Sequence, residues 1–157
     1  MESFKAIRKE IMVSASLRDV WEAWTTIEGV ETFFAPKARI ELKMGGAYEL
    51  YFDEEAKIGS RGSEECVTLS YLPFEMLSFS WNAPPQWEDE RKERTFVVVQ
   101  FQELGDIRTK VKITHLGWKD GGKWDEVFNY FERAWDIVTE RLKRRFEFGP
   151  INWKEIT

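Results

Sequence analysis

The sequence predicts an α+β domain in which a curved antiparallel sheet of about seven strands wraps one long C-terminal helix. Three observations carry that expectation. Apolar and polar residues alternate with a period of two through much of the stretch from Ala38 to His115. Beyond Asp120-Gly121-Gly122 the period becomes helical and stays so to Leu142. Between the opening strand and the alternating region, two shorter helical patterns follow one another.

Residues Phe4 to Val13 read as the first strand. Ser14-Ala15-Ser16 then makes a turn, and the Ser16 hydroxyl is placed to cap the amides of the next helix, with Asp19 three positions on. Leu17, Val20, Trp21 and Trp24 recur at helical spacing. Gly29 is expected to interrupt, and a second short helical piece carries Val30, Phe33 and Phe34 up to Pro36. In the alternating region Gly45-Gly46, Gly59, Pro73, Asn82-Ala83-Pro84-Pro85 and Gly105-Asp106 punctuate the chain, leaving room for about six strands joined mostly as hairpins. Tyr48, Leu50 and Phe52 alternate with Ala47, Glu49 and Tyr51, and Val111 and Ile113 alternate with Lys110, Lys112 and Thr114, so one sheet face is apolar and the other wet.

The last helix has the most continuous pattern. Trp124, Val127, Phe128, Phe131, Ala134, Trp135, Val138 and Leu142 form one stripe, whose burial is worth roughly 10–20 kcal/mol before entropy is subtracted. Asp125 and Glu126 near its start and Arg141, Lys143, Arg144 and Arg145 near its end complement the helix dipole. The helix is therefore expected to dock on the sheet. Residues 147–157 form a tail that can hold Ile151 and Trp153 against the body or a second subunit, and no composition shift divides residues 1–157 into more than one domain.

Composition narrows the function. Lys and Arg number 23 against 28 Asp and Glu, a net charge of −5, which opposes nucleic-acid binding. The longest apolar runs fall far short of the roughly 20 residues a membrane helix needs. One cysteine, Cys66, and no charge-then-apolar leader pattern point to the cytoplasm. Aromatic residues make up 15% of the chain, with eight Trp, and large rings both fill cores and line pockets for apolar ligands.

Specific residues resemble a known family. The stretch Ala15 to Thr25 with its VWEAWT core, Phe33-Phe34-Ala35-Pro36, Gly45-Gly46-Ala47-Tyr48, Gly62 leading a strand, Leu77-Ser78-Phe79-Ser80-Trp81 and Thr114-His115-Leu116-Gly117-Trp118 are similar to bacterial members of the START-like (SRPBCC, helix-grip) superfamily, of the Hsp90-ATPase-activator type. The resemblance covers residues from about 5 to about 146. It implies the helix-grip fold and a cavity between helix and sheet that, in different members, accepts lipids, polyketides, hormones or aromatic compounds. It implies no single function and transfers no catalytic residue.

Within such a cavity the candidate residues are Arg61, Glu65, Trp81, His115, Trp118, Trp124, Phe128 and Trp135. His115 shares a strand face with Val111 and Ile113 and points inward. It is the one His in the chain, and it serves either as an acid or base near neutral pH or as a neutral, hydrogen-bonded core residue. A strand from Ser60 to Tyr71 would group Arg61, Ser63, Glu65, Val67, Leu69 and Tyr71 on one face. Arg61 and Glu65 would then enter the interior and need a partner, or else sit at a solvated strand end. No spacing of His or Cys suggests a metal, and no cofactor is implied.

Three functions are open to this pattern. The first is binding of a small hydrophobic or aromatic molecule. The second is an enzyme of cyclase, dehydratase or hydrolase type with His115 as acid or base. The third is a chaperone-interacting module using the outer sheet face or the acidic segment Glu88 to Glu90, which otherwise reads as a solvated loop. Exposed sheet edges and the aromatic tail also allow a homodimer.

Overall fold

A computed structural model describes residues 4–156. The chain opens with strand β1 (Ile7–Val13), then helices α1 (Leu17–Thr25) and α2 (Ile27–Val30). Strands β2 (Lys37–Ile40), β3 (Tyr48–Tyr51), β4 (Thr68–Leu72) and β5 (Met76–Trp81) follow. The one-turn helix α3 (Glu88–Arg91), strands β6 (Thr95–Gly105) and β7 (Arg108–Leu116), and helix α4 (Trp124–Phe148) complete the domain. Five strands form one antiparallel sheet in the order β1-β7-β6-β5-β4, and β2 and β3 form a separate ribbon. The single sheet expected from the alternation is thus split, with two isolated bridges, Ala47–Val67 and Tyr51–Gly62, joining the ribbon to the segment before β4.

The capping expectation at α1 holds: the Ser16 hydroxyl accepts from the Asp19 amide at 3.1 Å. Ser16→Ala is expected to cost about 1 kcal/mol, read as a lower urea midpoint at unchanged slope. The break between the early helices, however, falls at Thr26, whose side chain caps α2 through the Gly29 amide. Gly29 lies inside α2. It is glycine because a Cβ there would run into the Glu22 carbonyl of α1, so it sets how closely the two helices approach.

Helix α4 buries Trp124, Val127, Phe131, Trp135, Val138 and Leu142, with Phe128 and Ala134 half-buried beside them. Lys9 on β1 reaches Glu132 and Asp136, both at 3.0 Å, along the flank of the helix. The tail folds back on the body. The Trp153 indole donates to the Glu31 carbonyl at 2.6 Å, and the Ile151 amide donates to the Thr32 carbonyl at 2.9 Å.

Two segments depart from the alternation. Of the expected strand from Ser60 to Tyr71 only residues 68–71 are strand, within β4, and residues 60–67 form a loop. Its cause is Glu64, whose buried carboxylate collects the backbone amides of Gly59, Arg61 and Gly62. Those N–H groups then no longer point alternately to a ladder partner, and the phase is lost. Consequently Glu65 takes a left-handed φ of 66° and is exposed, Thr68 turns inward and Leu69 outward. The acidic segment Glu88 to Glu90 is helical, not a solvated loop. Glu90 is buried and accepts from the Lys123 amide at 3.2 Å, completing the first turn of α4 where Lys123 offers no side-chain cap.

Candidate ligand-binding site

The eight residues singled out from sequence fall in three places. His115, Trp118, Trp124 and Phe128 belong to a packed aromatic cluster under the first half of α4. Arg61, Trp81 and Trp135 line an open cleft under its middle, and Glu65 lies outside both.

His115 is fully buried and points inward from β7. The Trp135 indole donates to its Nδ1 at 3.0 Å. An indole nitrogen can only donate, so Nδ1 must be the bare nitrogen, and the Nε2 proton goes to Thr95 Oγ1 at 2.7 Å. The Thr95 hydroxyl in turn faces the Trp81 carbonyl at 3.5 Å. Burial lowers the His115 pKa from 6.5 to about 3, so the ring is neutral. Gly117, at φ +90°, turns the chain sharply after β7 and brings Trp118 back over the imidazole. There the Trp118 indole donates to the His115 carbonyl at 2.9 Å. Of the two readings of His115, the geometry matches the neutral, hydrogen-bonded core residue: both ring nitrogens are engaged, and the ring is not part of the cleft wall. It is the residue that ties α4 to β6 and β7.

Further along α4 the packing opens. A cleft of about 410 Å³ lies between Tyr130 to Arg141 of the helix, the loop from Phe52 to Gly62, and Trp81 to Gln86. That volume is within the range of small-molecule sites. Phe34 stands at its base, 5.7 Å from Trp81 and 5.8 Å from Trp135, and those two indoles are 6.4 Å apart. Phe52, just past the end of β3 and half exposed, meets Trp81 edge-on at 6.3 Å. Tyr48 and Leu50 of the same alternating set are buried, so Phe52 is the one that leaves the core for the cleft mouth.

The polar part of the wall includes Arg91, and Glu64 behind it holds the loop in place. Arg91 donates to the carbonyls of Gly59, Gly62 and Ala83 and lies 3.7 Å from the Glu64 carboxylate. It therefore staples the loop before β4 to the turn after β5. Burial alone would raise the Glu64 pKa, but the three amides and the Arg61 side chain outweigh it and hold the carboxyl below its ordinary value. Asn82 adds a bond to the Gly62 carbonyl at 3.2 Å. Arg61 follows from this frame: its Nε is 3.3 Å from Glu64, and its guanidinium sits over the Tyr51 ring at 4.9 Å.

Sequence reasoning missed Glu64, Arg91, Asn82 and Arg141. Glu64 and Arg91 sat among other charges with no periodic signal, and Arg141 read only as a complement to the helix dipole. Phe34 had been noted, but only as part of the second helical piece and of the resemblance, not as a cleft residue. Among the described residues no three His, Cys, Asp or Glu side chains gather as metal ligands, and no helix is long and apolar enough to cross a membrane.

A long helix held against a curved antiparallel sheet, with two short helices after the first strand, places the chain among START-like, helix-grip proteins. Residues 14–147 match the family described as Activator of Hsp90 ATPase homolog 1-like protein, and the chain belongs to it. Solved structures agree with the fold. The Aha1 dimer from Colwellia psychrerythraea is 18% identical with a TM-score of 0.69, over 93% of this chain and 98% of that one. A Bacillus halodurans protein solved in solution is 25% identical with a TM-score of 0.66, over 93% of this chain and 99% of that one. A protein of the dynemicin biosynthetic locus is 17% identical with a TM-score of 0.67; 94% of this chain is covered, spanning 49% of that one. No curated protein matches the sequence.

Proposed function

We propose that this chain binds a small hydrophobic, aromatic molecule in the cleft beside the middle of α4. The observation that carries the reading is the wall itself. Phe34, Phe52, Trp81 and Trp135 come from four separate segments and leave a common space into which a planar ring can stack. Beside the rings stand polar groups, of which Arg91 and Asn82 are held by the loop backbone and so present fixed positions for orienting a ligand. The shared fold with a protein of the dynemicin biosynthetic locus supports the scaffold, and the lining supports the ligand class.

The test uses N-phenylnaphthylamine, a neutral fluorophore that brightens in apolar surroundings. Saturable enhancement is expected, with quenching of tryptophan emission and a rise in melting temperature that grows with probe concentration. Ala134 is half-buried in the cleft wall, so Ala134→Trp should fill the space and abolish saturation while the fold remains intact. Unsaturable enhancement in the parent chain, or undiminished binding by a folded Ala134→Trp variant, would remove this reading.

A further inference from the structure

We infer that the ligand of this cleft carries an anionic group, a carboxylate, sulfonate or phosphate, attached to its aromatic body. This rests on the cleft being a binding site, and it is argued from charge. The chain as a whole is acidic, at −5, yet the cleft wall holds Arg61, Arg91 and Arg141 against Asp53. Of these, Arg91 is committed to three carbonyls and the Glu64 carboxylate. Asp53 is engaged by the Glu55 amide at 3.1 Å in a local turn.

Arg61 and Arg141 are left. Arg61 contacts Glu64 through Nε alone, and its two Nη groups have no hydrogen-bond partner among the described residues. Arg141 is half-buried, its guanidinium lies over the Trp153 ring at 5.3 Å, and among the described residues it forms no ion pair. Burial pulls its pKa down with no neighbouring acid to offset it. An arginine stays protonated under such conditions, so a half-buried positive charge with no counter-ion among the described residues stands at the edge of an aromatic cleft. A carboxylate or sulfonate supplies the missing partner with a planar fork of donors that matches it. The Trp153 ring packs against the guanidinium, and the tail that carries Trp153 is itself fixed to Glu31 and Thr32. The arginine is thereby oriented before any ligand arrives.

A matched pair of probes tests this. Anilinonaphthalenesulfonate is the N-phenylnaphthylamine skeleton with a sulfonate added. The parent chain is expected to bind the sulfonate at least tenfold more tightly than the neutral probe, with a preference that declines as salt is raised. Arg141→Gln should erase most of that preference and leave the neutral probe's affinity within about twofold, a split that general unfolding cannot produce. Equal binding of the two probes, or a preference unchanged in both Arg141→Gln and Arg61→Gln, would overturn the anionic ligand while the cleft reading stands. Binding of neither probe would overturn both.

Discussion

His115→Ala is expected to destabilise the fold by about 4 kcal/mol, measured as a fall in the urea midpoint. The change empties a fully buried site, strands the Trp135 indole donor and takes from the Thr95 hydroxyl the proton it accepts, both away from water. His115→Gln, which can accept from Trp135 and donate to Thr95, should recover a good part of the loss. The same bonds set a pH dependence whose sign is fixed. In the unfolded chain the imidazole takes up a proton near pH 6.5, whereas in the fold it does so only near about 3. Between those values the unfolded state binds the extra proton. His115 therefore contributes its full stability above 6.5 and loses it as pH falls, by up to about 1.4 kcal/mol per pH unit. The chain has one histidine, so the loss between pH 6.5 and the carboxylate range belongs to this residue. Urea midpoints in His115→Gln should be flat across that interval. A slope that survives in this variant would show that another group carries it.

The parts of the molecule that were legible from sequence are those in which side-chain period and backbone geometry agree. The α4 stripe and the inward direction of His115 follow from apolar residues repeating at one spacing, and the Ser16 cap from a hydroxyl standing just ahead of such a repeat. The loop ahead of β4 was illegible for a reason of the same kind. Its shape is dictated by one carboxylate holding backbone amides, and amides carry no sequence signal. Alternation assigned Glu65 to the interior, and the neighbouring Glu64 took that place. The cleft was displaced for a different reason. The rings of Trp118 and Phe131 close on His115 at 4.4 and 4.9 Å and fill the space there, while Ala134, the small residue of the stripe, leaves room farther along. Periodicity tells which face of a helix is apolar. It does not tell where facing side chains fall short of filling the volume between them.

Glu64→Ala should cost about 3–5 kcal/mol, because it leaves Arg91 mostly buried without its carboxylate and releases three amides of the loop. The effect should reach the cleft as well. Arg61, Gly62 and Asn82 are positioned through this knot, so the neutral probe should bind more weakly and trypsin should cut faster at Lys57, in the exposed part of the loop. Glu64→Gln separates charge from shape: it keeps the reach of the side chain but loses the charge that faces Arg91 and Arg61. It should fall between parent and alanine variant. The acid limb gives an independent reading. The Glu64 carboxyl titrates below its ordinary 4.5 in the fold, so its contribution is complete above 4.5 and is lost as pH falls from there toward the lowered value. That window lies below the upper part of the His115 window, and the two residues are separable in one pH series. Should Glu64→Gln match the parent in stability, proteolysis and acid limb alike, the charge would not be what shapes the loop, and the polar wall of the cleft would need another origin.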